Sequence, residues 1–326
     1  MDVGERLKAH QNIIIDGVDI GDKAGRKGSK FCNEGKWDNF INPLLPDDCC
    51  EKTFIEMGCN AGLFLKMATE KDFQTVIGIE KSRRACKVAE KYRDSFNLDY
   101  KIRNESVGEF FDLNSLPVSD LTLMANFHYH LVMNDFITLI DRLQYKTCYC
   151  LVVSARVKNQ AHWRPGAELN DIRVYFKDWK EIGEVYYVSP FGDPHPRPMW
   201  SILFESKLKR KLIKDLWNPK NKGGDNRVSG ESTAELFRKV LASDQIEDIR
   251  DNLYYKRVHR TRSCEGWPRG KVDKFVQGKI DLMYDVKANG LKNPILIRLD
   301  NRIIEGNHRI IMARELGYQS VITRTV

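Results

Sequence analysis

The stretch 53–80, TFIEMGCNAGLFLKMATEKDFQTVIGIE, holds the residues whose types and spacing best suit ligand chemistry. Phe54 and Ile55 lead into Glu56-Met57-Gly58-Cys59-Asn60-Ala61-Gly62. Small residues here let backbone approach a ligand closely, and they open a helix whose first N–H groups point outward. A second apolar run, Val76-Ile77-Gly78-Ile79, ends in Glu80, whose carboxylate only accepts hydrogen bonds. The spacing is E-x-G-x-x-x-G and not G-x-G-x-x-G, so a dinucleotide pyrophosphate is not the group it suggests. A second cluster, Asn126-Phe127-His128-Tyr129-His130, puts an amide, two imidazoles and a phenol within five residues. His128 or His130 can serve as a general base for an oxygen or nitrogen nucleophile, since imidazole titrates close to neutrality. The alternative is a histidine satisfied at the start of a helix.

Positioning both clusters together requires a parallel sheet. The alternation of charged and apolar residues over 82–94 (Ala85, Val88, Ala89, Tyr92) predicts a helix, and apolar runs predict strands over 100–103, 119–126 and 147–154. Strands alternating with helices at this spacing argue for a doubly wound α/β sheet, whose ligands lie at the strands' carboxyl ends. Runs at 185–188 and 200–204 read as antiparallel sixth and seventh strands, with a short helix beginning at Asp178-Trp179 and a loop at His162-Trp163-Arg164-Pro165 before them. The Pro-rich loop 190–198 between these strands is a substrate cover or a plain hairpin connection. Upstream, Lys36-Trp37-Asp38 with Phe40, Ile41, Leu44 and Leu45 predicts an amphipathic helix ended by Pro43 and Pro46. The basic, Gly-rich run 21–28 has no period and reads as a flexible arm.

Glycine turn, helix and acid together resemble the first motif of the class I S-adenosylmethionine-dependent methyltransferases. The resemblance implies S-adenosyl-L-methionine as cofactor, with Glu56, Gly58, Cys59, Asn60 and Gly62 passing its methionine part. It implies Glu80, with Lys81 beside it, on the ribose hydroxyls, and Glu105 and Ser106 facing the adenine. Asn126, His128, Tyr129 and His130 then fall on the substrate side. In DNA amino-methyltransferases the fourth strand ends in [D/N/S]-P-P-[Y/F], and the absence of both prolines here speaks against amino-methylation of adenine or cytosine. Phe127-His128-Tyr129-His130-Leu131 is more similar to the V-L-Y-H-L of the tRNA wobble-uridine carboxymethyl-transferring methyltransferases. That family also carries K-W-D before its first strand, as Lys36-Trp37-Asp38 does here, and Tyr129 matches its tyrosine near a carboxylated cofactor. The basic partners such a cofactor needs have no counterpart, which leaves ordinary S-adenosylmethionine.

After Lys207 the organisation changes. Seven Lys or Arg against one Asp give 207–222 a charge of +6 out of the chain's +8. This predicts a short cationic helix followed by a linker. Capping boxes at Ser232 with Glu235 and at Asp244 with Glu247 predict two short helices, and a longer one over 272–288 is terminated by Gly290. Strands over 293–298 and 302–304 precede Glu305-Gly306-Asn307-His308-Arg309, which opens a helix running through Leu316. Over roughly 270–326 this order is similar to the ParB and sulfiredoxin-like superfamily, whose G-x-H-R appears here as G-N-H-R. The resemblance implies a nucleoside triphosphate held by the helix-start N–H groups and the Arg309 fork. The alternative is that Glu305 and Arg309 form an i,i+4 surface pair worth about 0.3–0.5 kcal/mol.

A chain of 326 residues, 42% apolar and 10% aromatic, can bury two cores. It has no run of about 18 apolar residues and no apolar h-region at MDVGERLKAH, so a cytoplasmic protein without a membrane span is expected. Its eight cysteines offer no C-x-x-C spacing, so no metal is expected. The expected plan is an arm over 1–30, a doubly wound, seven-stranded Rossmann-like methyltransferase domain over 31–206, a basic linker over 207–230, and a smaller α+β ParB/sulfiredoxin-like domain over 231–326. The expected function is methyl transfer to nucleic acid, engaged through Lys207, Lys209, Arg210, Lys211 and Lys214. A small metabolite or sugar is the alternative acceptor. A different class of answer is a nucleotide- or DNA-binding module with a non-catalytic methyltransferase scaffold.

Overall fold

Seven short runs pair edge to edge into one sheet in the computed structural model, which describes residues 13–15, 18–19, 33–108, 111–154, 172–187, 199–216, 230–242 and 249–326. Most of the expected arm, the loops at 162–165 and 190–198, and the Asp244/Glu247 box lie outside the described residues. The first unit contains β1 (Thr53–Met57), α1 (Leu63–Glu70), β2 (Thr75–Ile79), α2 (Arg83–Ser95), β3 (Lys101–Arg103), β4 (Ser119–Ala125), α3 (Met133–Leu143), β5 (Thr147–Ser154), β6 (Lys180–Tyr187) and β7 (Met199–Glu205). Their order across the sheet is β3-β2-β1-β4-β5-β7-β6. The first five run parallel, and β7 is antiparallel to both its neighbours.

The chain builds outward from β1 through β2 to β3 and then returns to place β4 on the other side of β1. That reversal opens a crevice at the carboxyl ends of β1 and β4, where such sheets take ligands. Both strands are buried on both faces, which is why they read as continuous apolar runs. The Ser82 hydroxyl caps α2 by accepting from the Ala85 N–H at 3.2 Å. Trp37 of the Lys36-Trp37-Asp38 segment is buried, stacked on Phe64 of α1 at 6.2 Å and edge-on to Phe54 of β1 at 6.5 Å. Its job is to clamp α1 onto the sheet. The helical run around it ends in a 3-10 turn at Asn42–Leu44 that contains Pro43.

Asp178 and Trp179 do not start a helix; they lie in a turn that runs straight into β6. This strand begins at Lys180 rather than Val185. Its first half is charged because it is a sheet edge, and Arg173 donates to Glu181 at 2.5 and 2.8 Å and to Glu184 at 2.9 Å along it.

The second unit contains Asn114–Val118 and the chain from Leu208 onward. It holds β8 (Leu208–Leu212), α4 (Gly230–Ala242), α5 (Leu253–Ser263), α6 (Arg269–Asn289), β9 (Ile295–Ile297), β10 (Ile303–Glu305), α7 (Asn307–Glu315) and β11 (Ser320–Thr325). The sheet order is β8-β11-β9-β10, with β9 and β11 parallel and the other pairs antiparallel. The basic segment that reads as a helix and linker is therefore a strand over its first residues, paired from Leu208↔Arg324 to Leu212↔Ser320. Leu208, Ile213 and Leu216 are buried and anchor it to the unit. Ser232 is not a cap either: it lies inside α4, buried, and its hydroxyl accepts from the Arg257 guanidinium. Gly290 does end α6, at φ +74°.

Candidate functional site

After Met57 the chain turns through Gly58, Asn60 and Gly62 at φ of +75°, +50° and +83°, then enters α1. The N–H groups of Gly58 and Cys59 both donate to the Ile79 carbonyl, at 2.8 and 3.1 Å, pinning the turn to the end of β2. Glu80 completes the link. Its Oε2 accepts from the Asn60 N–H at 3.0 Å and its Oε1 from the Ser82 N–H at 2.8 Å, so one carboxylate joins the glycine turn to the start of α2. From the next strand, the Asn104 amide donates to the carbonyls of Glu80 and Lys81 at 2.9 and 3.0 Å, and the Glu105 N–H donates to the Glu80 carbonyl at 3.1 Å. The structure thus brings Gly58, Asn60, Gly62, Glu80, Lys81 and Glu105 to one end of the sheet. Lys81 and Ser106 are exposed there, and the Glu105 carboxylate is paired with the Arg103 guanidinium at 2.7 Å.

Two members of the predicted set turn inward. Glu56 is buried; desolvation, with the Glu80 charge in support, pushes its carboxyl well above the usual carboxylate range. Its Oε2 has no hydrogen-bond partner. Cys59 is also buried, its thiol raised first by desolvation and then by Glu56 and Glu80. A Cβ on Gly78 would lie 2.6 Å from the Cys59 Sγ, so this side chain fills the space glycine leaves in β2. Cys59 serves the turn through its backbone.

The end of β4 meets the same turn. A Cβ on Gly58 would stand 2.6 Å from Cδ2 of Phe127, so the phenyl ring lies directly against the glycine. Phe127, an aromatic directly after the central strand, belongs to the quoted motif but not to the expected site residues. Asn126, at φ +54°, donates its N–H to the Val153 carbonyl at 2.8 Å and ends the ladder. His128–His130 is a 3-10 turn. His128 is buried, its ring 6.1 Å from Phe136 of α3 and 6.0 Å from Trp200 of β7. It packs between those elements, whereas His130 is exposed. The Tyr129 side chain lies outside the described residues.

No protein-family model matches the chain, and no curated protein does. Among solved structures, it is similar to the N-methyltransferase NodS of Bradyrhizobium japonicum WM9, at 17% identity over 48% of this chain and 79% of that one, with a TM-score of 0.38. It is also similar to an S-adenosylmethionine-dependent methyltransferase of Clostridium acetobutylicum, at 9% identity over 52% and 96%, with a TM-score of 0.39. A methyltransferase of Aquifex aeolicus gives 14% identity over 53% and 93%, with a TM-score of 0.38. Independently of these likenesses, β7 is inserted antiparallel between β5 and β6, and the order reverses at β1 and β4. The first unit is a seven-stranded, mixed α/β methyltransferase-like sheet. Within that fold the Gly58–Gly62 turn and Glu80 occupy the carboxyl ends of the first two strands.

In the second unit Gly306 precedes α7 at φ +108°, and a Cβ there would lie 2.7 Å from Cδ1 of Ile295. Arg309 does not present a phosphate fork. Its Nη1 donates to the carbonyls of Asn293 and Pro294 at 2.8 and 2.9 Å, and its Nη2 donates to Glu305 at 3.0 Å. The guanidinium ties α7 to the loop before β9. Asn307 and His308 open the helix beside it.

No group of three or more His, Cys, Asp or Glu suited to a metal occurs among the described residues. Among them, too, no helix is long and apolar enough to cross a membrane.

Proposed function

We propose that the first unit binds S-adenosylmethionine and transfers its methyl group. One observation carries the reading: a left-handed glycine turn after β1, held by backbone N–H groups to the end of β2 and bonded to Glu80 there. The methionine part of the cofactor is assigned to the backbone of this turn, beside the Phe127 ring. Glu80 retains lone pairs beyond the two N–H groups it accepts, and these suit vicinal ribose hydroxyls. A bound cofactor supplies a methyl group on a sulfonium. Held by the Gly58–Gly62 turn and Glu80, it would offer that methyl as an electrophile to the acceptor's lone pair. The chain's task is chiefly alignment. For an alcohol or amide acceptor, the released proton goes to His130, the exposed imidazole of the pair, or to water.

Nucleic acid is the acceptor class we propose, ahead of a metabolite or sugar, on the chain's net charge of +8. The segment 207–214 supports this less than its composition suggests. Arg210 donates to the carbonyl and hydroxyl of Ser320, at 3.4 and 2.8 Å, and Lys211 to Asn301 at 2.5 Å, within the second unit's own sheet and its adjoining turn. The wobble-uridine likeness likewise loses His128, which packs among aromatics. A nucleoside triphosphate at the second unit would have to rely on the backbone N–H groups of Asn307 and His308, without Arg309.

Calorimetric titration with S-adenosylmethionine and S-adenosylhomocysteine tests the reading. Wild type is expected to bind both, and Glu80→Ala to weaken binding by about tenfold or more, ~1.4 kcal/mol. A melting curve run alongside separates loss of the ribose acceptor from loss of the turn. Absence of binding in wild type would overturn the proposal, and equal affinity in the variant would remove Glu80 from the ligand set.

A further inference from the structure

We propose that the corner between α5 and α6 is a binding surface for single-stranded nucleic acid, with Trp267 and Phe275 as base platforms and Arg260, Lys271 and Lys274 as phosphate contacts. The segment 256–279 holds eight Lys or Arg against two acids, an excess of +6 equal to that of 207–222. Both acids are already engaged. Glu265 accepts from Arg262 at 2.7 Å, and Asp273 accepts from Arg250 at 3.0 Å and from the Tyr255 hydroxyl at 2.6 Å. Arg260, Lys271 and Lys274 are exposed and have no acidic partner among the described residues.

The aromatic rings stand among these charges. Trp267 and Phe275 meet edge to face at 6.0 Å, both partly exposed. Arg262 lies over Trp267 at 4.7 Å and over Phe275 at 5.9 Å, Lys271 over Trp267 at 4.2 Å, and Lys279 over Phe275 at 5.0 Å. Cations resting on partly exposed rings are what a base would displace: the ring takes the base and the freed ammonium takes a phosphate. The backbone is open as well. Gly266, Gly270 and Gly278 have no heavy atom within 4 Å of where a Cβ would stand. Gly278 sits inside a 21-residue helix, where glycine is unfavourable, and on the same stripe as Lys271 and Lys274. Among the described residues nothing packs against Gly278, so an incoming strand can approach the helix backbone there.

The inference stands apart from the methyl-transfer reading, since binding is measured without cofactor. A chain that binds strands here but takes up no S-adenosylmethionine would keep the one and lose the other. The test is fluorescence anisotropy of the full chain with labelled unstructured RNA and DNA strands of about 12 nucleotides, from roughly 50 to 200 mM salt. Binding is expected to tighten as salt falls. Lys271→Gln with Lys274→Gln should weaken it roughly tenfold and flatten the log–log salt slope by about 1.4, two phosphates at about 0.7 each. Trp267→Ala should cost about tenfold, largely restored in Trp267→Phe, while Lys91→Gln on the exposed face of α2 leaves affinity unchanged. No binding by wild type, or an unchanged slope in the lysine variant, would overturn the proposal. A blunt duplex bound as tightly as the single strands would overturn it too, because paired bases cannot stack on the rings.

Discussion

Glu56 and Glu80, two carboxyls at neighbouring strand ends, sit in different surroundings. Glu80 accepts two N–H bonds at the mouth of the turn. Glu56 is sealed under it, and desolvation makes it retain its proton well past the ordinary carboxylate range. The linkage sign follows. The native chain holds a proton that the unfolded chain releases, so Glu56 contributes fully below the ordinary carboxylate range, and its contribution is lost as pH rises toward the raised folded value. Between about pH 5 and 8, wild type should therefore lose stability relative to Glu56→Gln, whose side chain does not titrate. Melting temperatures of both proteins across that range measure it. Parallel curves would mean that Glu56 stays ionised in the folded chain without penalty.

At the scale of elements, the start of α7 is built for cohesion. Arg309 has only 14% of its side chain exposed and is bonded to two carbonyls and a carboxylate. Arg309→Ala leaves the carbonyls of Asn293 and Pro294 without this donor, at a cost of about 1–3 kcal/mol. The expected outcome is a lower denaturation midpoint by circular dichroism. An unchanged midpoint would return the guanidinium to the role of a free ligand group. The pair it makes with Glu305 is the surface i,i+4 contact that its spacing allowed, but the carbonyl bonds are the larger part.

The whole molecule divides into two units, each with its own sheet, and the division changes what counts as a linker. Strand β8 closes the edge of β11, whose Val321 and Ile322 are buried. A fragment beginning at residue 206 keeps that strand, while one beginning at 228 removes it and leaves β11 as an open edge. The longer fragment is expected to melt cooperatively and the shorter one to melt lower or aggregate, by circular dichroism and gel filtration. Equal melting of the two would show β8 to be dispensable.

What could be read from the sequence was local. The glycine turn, the helix over 82–94, the apolar runs of β1, β2, β4 and β5, and the Gly290 stop each depend on residues a few positions apart, so their signals survive in the one-dimensional pattern. The fold class followed from their alternation. What only tertiary structure decided depends on partners far along the chain. β8 pairs with residues more than a hundred positions later, and without that partner its Leu208 and Leu212, four positions apart around three basic residues, suit a helix as well as a strand. Arg309 finds the carbonyls of Asn293 and Pro294 only once β9 and α7 are packed, and His128 meets Trp200 only through the sheet. The cations of α5 and α6 gather on Trp267 and Phe275 for the same reason: a sequence records charge, but packing decides which charges are used internally and which are left facing outward.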